Sequence, residues 1–194
     1  DSLRENKVMS LKTRFGNLGN ILDFDNLTEE DIYVLDSPIL TNSQFSKFCK
    51  IFSKKIKIID CTFEITSSLK DRIETIKTEC ETAVREGSST LILSDKNISN
   101  KRASIPSILS VGAVHSHLVR NSLRGYCSLN VECADALDTH SFAVLIGVGA
   151  TTINPYLALD SIYQRYEKKL FGKSDFENCI CKFKKSIDSG LLKI

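Results

Sequence analysis

The chain has 194 residues and a mass of 21.7 kDa, with 42% apolar and 26% charged residues, enough to bury about 70% of its extended surface in one core. Its 26 Lys and Arg stand against 24 Asp and Glu, a net charge of +2. That balance excludes a nucleic-acid binder working through a broad basic surface, and a disordered chain.

The first 54 residues read as an irregular wrapping segment. Gly16 and Gly19 punctuate it and Ser37-Pro38 forces an extended turn. Thr41-x-x-Gln44 has the form of a capping box, opening a short helix with Phe45, Phe48 and Phe52 on one side. From residue 55 to 194 the pattern is regular. Residues 55–60 (KIKIID) form a short β-branched run, followed by the helical stripe Leu69, Ile73, Ile76, Cys80, Ala83, Val84, which stops at Gly87. Residues 90–94 (TLILS) read as a second strand, and Pro106 sits near the start of a helix running to about Arg120. Residues 126–132 (YCSLNVE) make a third strand, Thr139 caps a short helix, and 150–153 make a fourth strand. Pro155 begins a long helix to about Phe171, and Ser174-x-x-Glu177 is a second capping box before a last helix ending near Gly190.

Four βα units with continuous rather than alternating strands predict an α/β fold. A mainly parallel, half-barrel-like sheet is the economical packing. Functional groups are then expected at the C-terminal strand ends, at Asp60, Ser94, Asp95, Glu132 and Asn154. The uncharged run from Ser141 to Leu159 spans 19 positions, the length of a membrane span. Gly147, Gly149, Thr151, Thr152, Asn154 and Pro155 interrupt it, so a helix end, a turn and a buried strand are expected there, and no membrane partner.

The seven cysteines, Cys49, Cys61, Cys80, Cys127, Cys133, Cys179 and Cys181, are odd in number and unpatterned. They read as free, mostly buried thiols in an intracellular, reducing compartment. His115-x-His117 suggests a zinc pair only on a strand; the flanking pattern is helical, which turns the two imidazoles apart. Gly147-x-Gly149 follows a helix and precedes a strand, the reverse of a phosphate loop. Cys61 and Cys133 sit at strand ends, but no histidine is tied to either by spacing. No catalytic constellation is legible from composition and spacing.

Several runs in order carry more information. They are Leu35-Asp36-Ser37-Pro38-Ile39-Leu40, Leu91-Ile92-Leu93-Ser94-Asp95, Ile105-Pro106-Ser107, and the stretch from Val111 to Arg120 (VGAVHSHLVR). Further on come Thr139-His140-Ser141-Phe142-Ala143, Leu145-Ile146-Gly147-Val148-Gly149-Ala150 and Ile153-Asn154-Pro155-Tyr156-Leu157-Ala158. Together with Met9-Ser10-Leu11, Gly19-Asn20-Ile21-Leu22 and the closing Ser189-Gly190-Leu191-Leu192-Lys193-Ile194, they resemble the central domain of the large-subunit type of glutamate synthase. The sequence departs from that pattern in a compact, glycine-free stretch at 64–68, in Lys96 after Asp95, in Ser141 after His140 and in Val148 between the glycines.

The resemblance implies a multidomain oxidoreductase in cytoplasm or plastid. In it a cysteine-led amidotransferase releases ammonia from glutamine. An FMN-binding barrel with a 3Fe-4S cluster uses that ammonia to convert 2-oxoglutarate to glutamate, with NAD(P)H or ferredoxin as donor. The central domain links these two partners within one polypeptide, helps form the ammonia path, and carries no catalytic residue or cofactor of its own. The start at Asp1 fits a piece of a longer chain. The resemblance leaves Asp60, Ser94, Asp95, Glu132 and Asn154, or the terminal Leu191 to Ile194, to face neighbouring domains or the ammonia path. Two other readings are a small metal-dependent hydrolase using His115, His117 or His140 with Asp95 to hold a metal, and a pure assembly module.

Overall fold

The computed structural model describes residues 8–16 and 32–194; the predicted punctuation at Gly19 and the run after it lie outside them. Strands β1 (Thr13–Gly16) and β2 (Ile32–Leu35) form an antiparallel pair inside the segment expected to be irregular. Helix α1 (Asn42–Ile51) follows its capping box: Gln44 donates its backbone N–H to Thr41 Oγ1 (3.2 Å), and Thr41 N–H goes back to Gln44 Oε1 (3.0 Å). The chain then runs through β3 (Ile56–Asp60), β4 (Thr62–Glu64), α2 (Leu69–Arg85), β5 (Thr90–Ser94), β6 (Arg102–Ser104) and α3 (Ser107–Arg120). After a 3₁₀ turn at Arg124–Tyr126 come β7 (Ser128–Glu132), α4 (Thr139–Gly147), β8 (Thr152–Asn154), α5 (Tyr156–Glu167) and α6 (Phe176–Leu191).

The sheet is the expected one, parallel, in the order β3-β5-β7-β8. Its β8 edge is extended by a segment that hydropathy does not mark. Ile153 donates N–H to Pro38 O (2.8 Å) and Leu40 donates N–H to Ile153 O (2.9 Å), so residues 38–40 run parallel beside β8. A small antiparallel β4–β6 pair, too short for a periodicity signal, sits beyond the ends of β3 and β5.

Two helix starts differ from the predicted ones. Asp138, not Thr139, caps α4, accepting Ser141 N–H (2.8 Å). Asp175, not Ser174, caps α6, accepting Asn178 N–H (2.6 Å). In both places a carboxylate adjoins the predicted hydroxyl residue, and it adds favourable charge at the positive end of the helix. Pro106 offers α3 no side-chain cap. Asp135, from the loop after β7, takes Ser107 N–H (3.0 Å) and the Ser107 hydroxyl (2.6 Å) instead.

The two faces of the sheet are chemically different. Ile59, Leu91, Leu93, Leu129, Val131 and Ile153 face the main core, with Ile76 and Cys80 of α2, Val111, Val114 and Leu118 of α3, and Phe142 and Leu145 of α4. Alternation along the strands sends Thr90, Ser94, Ser128, Asn130, Glu132, Thr152 and Asn154 to the other face. All seven are buried. There Ile92 packs with Leu40, Phe45 and Phe48 of the α1 region. The polar groups bond one another: Thr152 Oγ1 donates to Asn130 Oδ1 (2.6 Å), and Asn130 Nδ2 donates to Leu91 O and Ser128 Oγ (both 3.1 Å). Strands β5, β7 and β8 are thus continuously buried, as predicted, whereas the edge strand β3 leaves Lys57 and Ile58 exposed.

Candidate functional site

Strand register places Asp60, Ser94, Glu132 and Asn154 in one row at the C-terminal end of the sheet. The row is interlocked. The Ser94 hydroxyl donates to Glu132 Oε2 (2.6 Å), and Lys96 Nζ lies 2.7 Å from Glu132 Oε1 and 5.2 Å from the centroid of the Tyr156 ring. Asn154 Nδ2 donates to Leu40 O and Asn42 Oδ1 (both 3.0 Å), and Asn42 Nδ2 donates to Asp160 Oδ1 (3.1 Å). Asp95 is buried behind the row and accepts Ala134 N–H at Oδ2 (3.0 Å). Burial pushes its carboxyl above the ordinary carboxylate range, with the nearby Asp135 charge acting in the same direction.

Asp60 stands apart from its row-mates. Thr62 donates both its N–H (2.9 Å) and hydroxyl (2.7 Å) to Asp60 Oδ1, and Arg102 reaches Oδ2 (3.1 Å) and Thr62 Oγ1 (2.8 Å). Burial alone raises this carboxyl, but the Thr62 and Asn97 hydrogen bonds and the Arg102 charge outweigh it and hold it below its usual value. Asp60 therefore anchors the β4–β6 pair to the end of β3. Glu132 and Asn154 of the row border a cleft of about 620 Å³ between α1 and the strand ends, lined also by Phe45, Ser46, Cys49 and Lys50 from α1, by Lys96 and by Asp160 of α5. Sequence reasoning found the strand-end residues and missed Asn42, Cys49 and Asp160. The Thr41 box places Asn42 at the start of a helix, but no local signal joins it to Asn154, 112 residues away.

The other candidates are embedded in the framework. Cys61 and Cys133 are buried; burial pushes the Cys61 thiol up to about 12 and raises that of Cys133 as well, so neither is a thiolate nucleophile near neutral pH. All seven cysteines are free. His115 and His117 lie on α3 with different partners: His117 donates Nε2–H to Glu81 Oε2 on α2 (2.6 Å), while His115 Nδ1 accepts Arg124 Nε–H (3.2 Å). His140 lies on α4, beside Asp135 and Ile108. The metal-hydrolase reading is not favoured, because the histidines are dispersed. Among the described residues no group of three His, Cys, Asp or Glu has the placement to hold a metal ion. That donor set does not fit an iron–sulfur cluster either. Gly149 has a φ of +117° and packs against the His115 ring, while Gly147 ends α4 with open space at its Cβ position; the pair follows a helix and precedes a strand, unlike a phosphate loop. The uncharged run resolves into α4, β8 and the start of α5, and no described helix is long and apolar enough to cross a membrane.

His115 makes stability pH-dependent. Burial, and next the Arg124 charge, lower its pKa below the ordinary histidine value. Below about pH 6.5 the unfolded chain therefore binds a proton that the folded one refuses. Stability is retained above that pH and falls as pH drops through it, levelling off once the folded state is protonated too. Urea midpoints compared between neutral and mildly acidic buffer are expected to fall for the native chain, and to fall less for His115→Gln. Equal slopes for the two proteins count against this assignment.

Comparison with known proteins gives consistent matches. The family model "Glutamate synthase central domain" matches residues 1–194. The large chain of NADPH glutamate synthase from Azospirillum brasilense is 50% identical over 197 residues, covering 100% of this chain. Spinach ferredoxin-dependent glutamate synthase, chloroplastic, is 37% identical over 209 residues, and the NADPH glutamate synthase large chain of Bacillus subtilis is 35% identical over 196, each again covering 100% of the chain. In all three the chain spans 13% of the relative's length.

Proposed function

The chain belongs to the family of glutamate synthase central domains, and from that premise we propose that it is a linking block between an amidotransferase domain and an FMN-binding synthase domain of one polypeptide. In this reading ammonia released from glutamine passes along a wall that the chain helps to form, on its way to amination of 2-oxoglutarate. FMN, the 3Fe-4S cluster and the NAD(P)H or ferredoxin donor are served by other parts of the polypeptide. The block does no chemistry in isolation.

The observation that carries this reading is the hydrogen-bonded strand-end edge. In a parallel α/β sheet that edge is where functional groups gather. Here Ser94, Lys96, Glu132 and the Asn154 amide nitrogen are held by neighbouring groups, and the strand-end cysteines are buried as thiols. A preorganised wall suits transfer of a small molecule that must stay away from bulk water. Free cysteines throughout fit a reducing compartment, cytoplasmic or plastid.

The test uses the full-length enzyme. Ser46 and Lys96 line the cleft and are exposed, so Ser46→Trp and Lys96→Trp fill it without entering the core. More glutamine is then expected to be hydrolysed than 2-oxoglutarate aminated. If the two rates stay matched in both variants, this edge is not part of the ammonia path.

A further inference from the structure

The parallel sheet ends differently on its two sides. Beside β8, residues 38–40 continue the ladder; beside β3, no segment among the described residues does. The ladder to β5 uses alternate residues of β3. Thr90 donates N–H to Lys55 O (3.1 Å), and Cys61 donates N–H to Ser94 O (2.7 Å). Lys55, Lys57, Ile59 and Cys61 therefore turn their peptide groups toward β5, and Ile56, Ile58 and Asp60 turn theirs outward. Arg72 of α2 donates to Asp60 O (2.5 Å), while the N–H and C=O of Ile56 and Ile58 have no partner among the described residues. Natural edges are blunted by proline, a bulge or a covering segment. β3 shows none of these: its register with β5 is unbroken over five residues, and Ile58 is 61% exposed.

Charge selects what can complete this edge. From Ser37 to Ile59 the chain holds five lysines and no acidic residue. Lys54 and Lys57 are exposed and have no carboxylate partner among the described residues. A second copy of this chain does not suit the edge. Antiparallel pairing about a two-fold axis at Ile58 would set Lys54 opposite the partner's Thr62, whose hydroxyl is already held by Arg102 (2.8 Å), and so place like charges together. It would also need Asp60 O, which Arg72 holds. An extended segment of alternating apolar and acidic residues meets both needs, with apolar side chains beside Ile58 and carboxylates beside Lys57 on the opposite face. The matched region is 13% of the relatives' length, which leaves most of such a polypeptide to supply the segment.

We infer that the β3 edge is continued by an added strand, an acidic and apolar extended segment from a neighbouring domain of the same polypeptide, bonded to the N–H and C=O of Ile56 and Ile58. The inference rests on the linking reading only for the presence of neighbouring domains, and it concerns the side of the sheet, not the cleft at its strand ends.

The experiment uses the full-length polypeptide. Hydrogen exchange, resolved to single residues by electron-transfer fragmentation, reads the outward amide of Ile58, with the amide of Leu93, inside the sheet, as reference. The Ile58 amide is expected to exchange about a hundredfold more slowly than an unpaired exposed amide. Lys57→Glu sets a like charge against the segment and should speed exchange at Ile58 about tenfold with Leu93 unchanged, whereas Lys57→Arg should leave it slow. Zero-length carbodiimide coupling, read by peptide mass spectrometry on mixed light and isotope-labelled enzyme, should join Lys54 or Lys57 to an acidic residue outside residues 1–194 within one polypeptide. The inference is overturned if the Ile58 amide exchanges as an unpaired one, if Lys57→Glu leaves it slow, or if coupling reaches only this chain or only a second polypeptide. Unequal glutamine hydrolysis and amination in the Trp variants, with a fast Ile58 amide, would keep the ammonia wall and remove the added strand. Matched rates with a slow, charge-sensitive amide would do the reverse.

Discussion

Replacing Gly149 by Ala is expected to destabilise the chain by about 3 kcal/mol or more, from two separate causes. The backbone there has a φ of +117°, which side-chain-bearing residues rarely adopt. A Cβ at that position also lies 2.3 Å from His115 Nδ1 and 2.5 Å from Cγ, distances at which the ring or the turn must move. Neither moves freely, because Arg124 holds both, donating to His115 Nδ1 and, at 2.9 Å, to Gly149 O. The causes separate in a double-mutant cycle by urea denaturation. His115→Ala should remove the contacts with Nδ1 and Cγ but keep the 2.9 Å approach to the Cβ of residue 115, so the cost of Gly149→Ala should fall without vanishing, leaving at least the conformational part of about 1–3 kcal/mol. A cost for Gly149→Ala that is the same with and without His115 rules out the collision.

Arg124→Leu is expected to cost about 3 kcal/mol, because one guanidinium bonds four acceptors from separate elements. Besides His115 of α3 and Gly149 O, Arg124 donates to Cys127 O just before β7 (2.6 Å) and to Thr151 Oγ1 just before β8 (3.2 Å). Thr151 Oγ1 in turn accepts Leu129 N–H (3.1 Å). Arg124 therefore adds a side-chain tie between the N-terminal ends of β7 and β8, beside the direct bonds of Thr151 with Leu129. Removing it leaves partly buried carbonyls without donors, although water repairs some of the loss. Arg124→Lys should recover less than half, since a single ammonium cannot span acceptors that a planar fork reaches in several directions. Full recovery of the urea midpoint by Lys would show that charge, and not the fork, is what matters.

These two residues show where sequence reasoning stops. Gly149 was legible as a turn after a helix, but its close approach to His115 was not, because the pair is 34 positions apart and carries no shared local pattern. Arg124 carried no signal at all. The candidate edge behaved similarly: the strand ends identified Asp60, Ser94, Asp95, Glu132 and Asn154, while register alone decided which of them share a row. Asp60 left that group for Thr62 and Arg102, because the short β4–β6 pair brings Arg102 across to it.

Hydrophobic period and capping chemistry act over a few residues, so the linear chain already determined the order of the helices and of the four parallel strands and, through its ordered motifs, the family. Folding decided the rest: the addition of residues 38–40 beside β8, the polar face beneath α1 and the joining of Asn42, Asn154 and Asp160. The first and last of these link positions more than a hundred residues apart, and their partners are selected by shape and hydrogen-bond satisfaction in the packed state, which no local pattern of residues encodes.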